Sequence, residues 1–288
     1  MNTTSSPVDT YCIIGNPVAH SRSPWIHARF AELTGQALHY ERLLVPLNSF
    51  ADGLRGFIAR GGRGCNVTVP FKFEAAAMAQ HLSPRVILAQ AANTLSMRAD
   101  GIHADNTDGA GLVADIEHNA GIRIVHRNVL LIGAGGAAAG VLGPLLSAGP
   151  AQLTVVNRTH QRAADLVERH ADWARIQQVP LQAVEVGALQ QDFDIVVNAT
   201  ASSLAGGDIP VPAHVLRPGA LALDMMYGPA AQGFLNWAHA HGATPRDGLG
   251  MLVEQAAESF HIWRGVRPPS AQVLAELRAQ LSQPPAAA

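Results

Sequence analysis

The stretch Asn128-Val129-Leu130-Leu131-Ile132 is apolar at four consecutive positions and runs straight into Gly133-Ala134-Gly135-Gly136-Ala137. An Ala/Leu-rich helical pattern follows to about Ser147. A strand without polar alternation is one buried on both faces, as in a parallel sheet covered by helices. A glycine-rich turn that delivers such a strand into a helix marks a βαβ unit. The same rhythm recurs in Leu153-Thr154-Val155-Val156 with a helix from Thr159 to His170, and in strands over Phe193 to Ala199 and Ala220 to Met225. It is present upstream as well. Tyr11 to Ile14 is a strand stopped by Gly15-Asn16-Pro17, and Trp25 to Leu33 has helical spacing. Leu38 to Val45 is strand-like, Phe50 to Ala59 helix-like, Asn66 to Val69 a strand, and Pro70 to about Gln80 a helix.

Alternating strands and helices of this kind predict an α/β fold with mainly parallel sheets. Gly109 to Ala120 reads as a helix bridging two halves, and the helices over Leu252 to Trp263 and Ala271 to Leu281 lack strand partners. The expected organisation is therefore two α/β domains, 1–108 and 109–246, with C-terminal helices over 247–288 returning to the first. A ligand cleft is expected between the two domains.

Composition narrows the function classes. Hydrophobic residues make up 48% of the 288 residues, charged residues 15%, and the net charge is −2, which excludes disorder and offers no basic excess for nucleic acid. Cys12 and Cys65 are the only cysteines and no His-Glu-x-x-His pattern appears, so neither a disulfide framework nor a metal site is expected. No apolar run reaches the ~18 residues of a membrane span. Met1 to Pro7 is polar, without the pattern of a signal peptide, and the Pro-Pro-Ala-Ala-Ala tail from Pro284 is expected to fray. The expected compartment is the cytoplasm, with no membrane partner. One count is unusual. Of the 20 Lys and Arg residues, Lys72 alone is lysine. Codon bias suffices for the arginines and leaves the exception as a question.

The motifs give chemistry to this frame. At Gly133–Ala137, small residues let the backbone approach a pyrophosphate, and the helix N-terminus supplies N–H groups and a positive dipole. The strand after it ends Val156-Asn157-Arg158-Thr159. An acid there would bind a ribose 2′-hydroxyl, whereas a guanidinium suits a 2′-phosphate, so the cofactor predicted is NADP(H). The plainer alternatives are Asn157 or Thr159 as a helix cap and Arg158 as a solvated charge.

In Gly15-Asn16-Pro17-Val18-Ala19-His20-Ser21-Arg22-Ser23-Pro24, Pro24 suits a first helical position and Ser23 its N-cap. Ser21 and Ser23 are two apart, so in an extended segment both hydroxyls face one way and can cradle a carboxylate. Lys72 falls in the first turn of its helix, where the macrodipole disfavours a cation by ~0.3–1 kcal/mol when exposed. A locally unfavourable residue often marks a site. Asp105-Asn106-Thr107-Asp108 precedes the bridging helix, and any of the four can cap it; Asp108 is alternatively a partner for Lys72.

Taken together the motifs resemble the shikimate dehydrogenase family over nearly the whole chain, from Tyr11 to about Pro269. The resemblance rests on the segments above, on Asn66-Val67-Thr68-Val69-Pro70-Phe71-Lys72, Asn93-Thr94-Leu95 and Asn198-Ala199-Thr200, and on Asp224-Met225-Met226-Tyr227 and Gly248-Leu249-Gly250-Met251-Leu252 with Gln255. It implies an N-terminal substrate domain, a Rossmann-type NADP-binding domain, and reversible reduction of 3-dehydroshikimate to shikimate. Lys72 and Asp108 resemble the catalytic pair. Ser21 and Ser23 resemble the carboxylate-binding hydroxyls, and Thr68, Asn93, Tyr227 and Gln255 the residues that line the site. Gly133, Ala134, Gly135, Gly136, Ala137, Asn157, Arg158, Thr159 and Arg162 resemble the NADP site, with Met225 and Gly248 near the nicotinamide. A homodimer is the candidate assembly.

The chain departs from the family pattern at Ala201-Ser202-Ser203 and at Ala230-Ala231-Gln232-Gly233 after Pro229, where local loop differences are expected. The rivals are an NAD-using quinate/shikimate dehydrogenase, a methylenetetrahydrofolate-dehydrogenase-like enzyme, and a non-catalytic NADP-binding regulator. The absence of an acid beside Arg158, and the presence of both serines, argue against the first. The second shares a two-domain plan without these motifs, and the third has no use for Lys72 and Asp108.

Overall fold

The computed structural model describes residues 8–200, 209 and 211–282. Met1 to Pro7, the Ala201-Ser202-Ser203 departure and the tail from Pro284 lie outside the described residues. The chain divides into two compact units, Met1–Thr107 with Gln255–Ala288, and Asp108–Glu254.

In the first unit, β1 (Asp9–Gly15), α1 (Ser23–Thr34), β2 (Leu38–Leu44), α2 (Phe50–Ala59) and β3 (Gly62–Val67) alternate as the sequence pattern predicts. Then come α3 (Lys72–Met78), β4 (His81–Leu82), α4 (Pro84–Ala89), β5 (Thr94–Arg98) and β6 (Gly101–Asp105). The sheet order is β2-β1-β3-β5-β6-β4. β1 pairs in parallel with β2 and β3, whereas β5 runs antiparallel to both β3 and β6. The sheet is thus mixed. Only Ala99 and Asp100 separate β5 from β6, and Gly101 takes φ +129°, a left-handed conformation open to glycine. So short a connection can only reverse the chain, since a parallel crossover needs a dozen residues or more. The core beneath this sheet is built from Ile14, Phe50, Leu54, Phe57, Val67, Phe71 and Leu95, together with both free cysteines.

The second unit starts with α5 (Asp108–Ala114), which continues as a π-helical turn over Asp115–Asn119. β7 (Asn128–Ile132), α6 (Gly136–Ser147), β8 (Gln152–Val156), α7 (His160–Gln177) and β9 (Leu181–Ala183) follow. β10 (Phe193–Asn198), β11 (Leu216–Asp224), α8 (Gln232–Ala240) and β12 (Thr244–Arg246) complete the sheet and its cover. Every pairing is parallel, in the order β12-β11-β10-β7-β8-β9. The chain therefore winds outward from β7 on one side and then restarts on the other. The reversal between β7 and β10 is a topological switch point, where the carboxyl ends of the strands open a ligand crevice. Leu130, Ile132, Val156, Phe193, Val196, Ala222 and Phe234 pack its core.

α9 (Leu249–Arg264) contributes Gln255 onward to the first unit, and α10 (Ser270–Ser282) follows it there. Trp263 donates to the Leu95 carbonyl at 3.1 Å and stacks on Tyr11. Arg29 of α1 holds Glu276 of α10 with a pair of bonds at 2.7 and 2.9 Å.

Candidate active site

The loop after β1 and the loop after β3 are locked together in the first unit. Thr68 donates its N–H to the Ile14 carbonyl at 2.9 Å, and Asn16 donates to the Val69 carbonyl at 3.0 Å. A Cβ on Gly15 would strike Thr68, so glycine is required for this approach. Downstream, α1 begins at Ser23 with no side chain capping it, which removes the N-cap role expected of Ser23. Ser21 Oγ instead accepts the Ser23 N–H at 3.2 Å, and the two hydroxyl oxygens lie 3.2 Å apart. Ser23 is buried and Ser21 half-buried, so the pair presents hydroxyls from one edge of the loop.

Lys72 is the first residue of α3. Its position is fixed from both sides. Phe71, fully buried, stacks on Phe50 with centroids 5.2 Å apart, and the Lys72 carbonyl accepts the Ala92 N–H at 2.9 Å. Ala92 precedes Asn93, the centre of a buried polar network. Asn93 Nδ2 donates to Thr107 Oγ1 at 2.8 Å and to Gln255 Oε1 at 3.1 Å, while its Oδ1 accepts the Thr107 N–H at 2.8 Å. Ser259 Oγ lies 2.8 Å from Thr94 Oγ1 and 3.1 Å from Thr107 Oγ1, and accepts from Asn66 Nδ2 at 2.9 Å. Tyr40 closes the chain by donating to Asn66 Oδ1 at 2.7 Å. Buried amides and hydroxyls left unpaired would each cost ~1–3 kcal/mol, so the network holds one arrangement of Asn93 and Gln255.

Asn66, Thr94, Thr107 and Ser259 are not among the site residues read from the sequence. Ser259 had a signal there: it lies four residues after Gln255, on the same helical face. Next to Thr107, Asp105 is clamped by Arg85 at 2.8 and 2.9 Å and accepts the Asn106 N–H at 2.7 Å. Burial raises the Asp105 pKa, but the Arg85 guanidinium, the Ser83 hydroxyl and the Asn106 N–H together outweigh it and hold the carboxyl below its ordinary value. This clamp fixes the turn that leads into Asp108.

In the second unit, Gly133 takes φ +115°, and its N–H donates to the Val156 carbonyl at 2.7 Å. α6 starts after Gly135, which has no side chain to cap it, and among the described residues no side chain is seen capping its first turn. Among the described residues, nothing beyond its own chain neighbours and helix backbone stands within 4 Å of where a Gly135 Cβ would project. Open space before uncapped amides, at the switch point, fits the pyrophosphate of a dinucleotide. Ala134, Gly136 and Ala137 are half-buried around it. One strand over, Asn157 Nδ2 donates to the Thr159 carbonyl at 2.9 Å, and neither Asn157 nor Thr159 caps α7 with its side chain. Arg158 and Arg162 are exposed, and neither forms an ion pair among the described residues. This leaves two guanidinium groups beside the crevice, as a 2′-phosphate requires.

The carboxyl ends of β10 and β11 complete the crevice. Met225 donates its N–H to the Asn198 carbonyl at 2.9 Å, and Gly248 donates to the Met226 carbonyl at 2.8 Å. A Cβ on Gly248 would strike the Met225 carbonyl, so the structure brings Met225 and Gly248 together. Tyr227 follows them, half-buried, before a short 3-10 turn over Gly228–Ala231 where the sequence departs from the family pattern. Asp108 is buried at the first position of α5. Thus Ser21, Ser23, Thr68, Lys72, Asn93 and Gln255 belong to the first unit, and Asp108, Tyr227 and the dinucleotide residues to the second.

Three segments of the chain match known protein families. Residues 13–95 match the family described as "Shikimate dehydrogenase substrate binding domain". Residues 116–205 match "Shikimate / quinate 5-dehydrogenase", and 248–278 match "Shikimate 5'-dehydrogenase C-terminal domain". A curated relative from Paracidovorax citrulli, named Shikimate dehydrogenase (NADP(+)), is 67% identical over 98% of this chain and 100% of its own. Among solved structures, an Ael1 enzyme from Pseudomonas putida superposes with a TM-score of 0.85 at 43% identity, covering 96% of this chain and 99% of that one. Shikimate 5-dehydrogenase from Thermus thermophilus, solved in complex with NADP(H) and shikimate, gives a TM-score of 0.82 at 32% identity over 94% and 99% of the two chains. With its three successive segments matched in order and a relative two-thirds identical along its length, the chain belongs to the shikimate dehydrogenase family.

Proposed function

We propose that the chain catalyses the reversible, NADPH-dependent reduction of 3-dehydroshikimate to shikimate, with Lys72 and Asp108 as its acid–base pair. When bound, NADPH supplies the hydride. Gly133 to Ala137 hold its pyrophosphate, Arg158 and Arg162 its 2′-phosphate with Asn157 and Thr159 beside them, and Met225 and Gly248 border the nicotinamide. Ser21 and Ser23 bind the substrate carboxylate, while Thr68, Asn93, Tyr227 and Gln255 hydrogen-bond its ring hydroxyls.

As negative charge develops on the ketone oxygen, the Lys72 ammonium stabilises it and gives it a proton. Asp108 binds the same hydroxyl and orients the lysine; a coupled pair of this kind titrates as a unit. One observation carries the reading. The sole lysine of the chain is anchored through its carbonyl to Ala92, next to the Asn93–Thr107–Gln255 network, which supports a place in the polar site over one on a loose surface turn. The domain roles follow: the unit of 1–107 with 255–288 binds substrate, and the unit of 108–254 binds NADP. A cytoplasmic location suits the two buried, unpaired cysteines, and sedimentation of the purified chain tests the homodimer. The testing experiment is Lys72→Ala, which is expected to lower kcat with little change in KM; a kcat within a few-fold of the parent overturns the assignment.

A further inference from the structure

At the far edge of the first unit's sheet, β4 and β6 pair in parallel with His81 opposite His103. Register partners share a face of the sheet, and the two imidazoles stack with centroids 4.2 Å apart. Asp100, in the two-residue turn between β5 and β6, reaches both rings. His103 Nε2 lies 2.9 Å from its Oδ1, and His81 Nε2 lies 3.5 Å from its Oδ2. All three donor atoms fall within 4.8 Å of one another. The two histidines also line a cavity of about 230 Å³, with Ser96 and Arg98 in its wall.

We propose that His81, Asp100 and His103 bind a divalent transition ion of the Zn²⁺ type, with one coordination position open toward this cavity. Two imidazoles and a carboxylate select borderline ions over Mg²⁺ and Ca²⁺. Zinc holds such donors at roughly 2.0–2.2 Å, which puts tetrahedral neighbours roughly 3.4 Å apart. The carboxylate–imidazole separations, 2.9 Å to Oδ1 for His103 and 3.5 Å to Oδ2 for His81, lie on either side of that spacing. His81 Nε2 also lies 3.2 Å from the Asp100 carbonyl oxygen, so both rings already aim Nε2 at the Asp100 turn. Three protein ligands leave the fourth position to water or a small anion, and Arg98 in the cavity wall favours an anion.

The sequence shows no metal motif because the ligands are 19 and 3 residues apart along the chain and meet only through the β4–β6 register. The site also has a structural consequence. β4 is only two residues long, and an ion would tie it to β6 and to the turn, so binding should raise the thermal midpoint.

The test uses the untagged full chain, freed of metal by chelation and titrated calorimetrically with ZnCl₂, with thermal unfolding followed in parallel. One ion per chain is expected, with a raised midpoint and no competition from millimolar MgCl₂. His81→Gln, His103→Gln and Asp100→Asn are each expected to weaken binding by more than about tenfold, while shikimate turnover with NADP, which these residues do not touch, reports that the variants are folded. No binding of ZnCl₂ by the parent chain, competition by MgCl₂, or binding that survives the His81→Gln/His103→Gln double substitution overturns the proposal.

Discussion

Lysine and arginine carry the same charge, and at position 72 they differ by one removable proton. Lys72→Arg is therefore expected to lose kcat nearly as fully as Lys72→Ala, by ~10²–10⁴-fold, because a guanidinium does not release its proton at neutral pH; steady-state kinetics with shikimate and NADP measure it. Lys72 stood out in the sequence because it is the only lysine, and Arg158 because it stands where an acid would serve NAD. Arg158→Ala should lower kcat/KM for NADPH by ~10–100-fold, the worth of one charge-assisted contact, and leave the value for NADH nearly unchanged. Equal losses with both cofactors would remove the 2′-phosphate role. Ser23 was harder to read. Its place before Pro24 suits an N-cap, yet the helix starts one residue earlier than a cap there allows, and the backbone turn hands the Ser23 N–H to Ser21. Spacing alone does not carry that information.

Among the elements, those with long apolar runs were legible, β7 and the Gly133 turn above all. α2 over Phe50–Ala59 has the bounds that its pattern predicts. The β5–β6 hairpin was not legible. Its strands carry Ser96, Arg98, His103 and Asp105; Trp263 of the distant α9 bonds to the Leu95 carbonyl and Arg85 of α4 clamps Asp105, contacts with no signature in the strands themselves. The bridging helix was predicted as one α-helix over Gly109 to Ala120, but its last turn is π-helical. There Asp115, fully buried, accepts two bonds from Arg246 at 2.6 and 2.7 Å, a long-range pairing with no local signature. The same holds for Ser259, which joins α9 to β5 and to the turn after β6. Ser259→Ala should cost ~1–3 kcal/mol of stability by leaving Asn66, Thr94 and Thr107 short of a partner. It should also raise KM for shikimate more than it lowers kcat, since Asn93 and Gln255 lose their fixed geometry; Ser259→Thr, which keeps the hydroxyl, should restore much of the difference. A loss of stability with KM unchanged would confine Ser259 to packing.

Each of the two units buries a histidine in neutral form. His27 is fully buried, stacked on Tyr40 with centroids 4.3 Å apart, and among the described residues neither ring nitrogen has a hydrogen-bond partner. Desolvation pushes its pKa down to about 3, with the nearby Asn66 opposing the shift without completing a hydrogen bond. Desolvation likewise lowers His170 to about 4, against the Leu166 carbonyl that its Nδ1 meets. Below pH ~6.5 the unfolded chain protonates both histidines while the folded chain does not, so stability falls with pH by about 1.4 kcal/mol per unit for each. Urea unfolding between pH 7 and 5 should show this slope, and His27→Phe should roughly halve it; an unchanged slope would assign the acid sensitivity elsewhere. The order of the parallel strands in the second unit, β7 at the centre with the chain restarting at β10, was implicit in the family resemblance and is not readable from periodicity. It is also what gives the chain a dinucleotide crevice.

The central claim is that this crevice, with Arg158 beside it and Lys72 on the substrate unit, serves one reaction. Following absorbance as the purified chain meets shikimate with NADP or with NAD tests it most directly. Steady reduction of NADP, with a kcat/KM well above that for NAD and abolished by Lys72→Arg, is the expected result. NADP binding without turnover, or a preference for NAD and quinate, would contradict it.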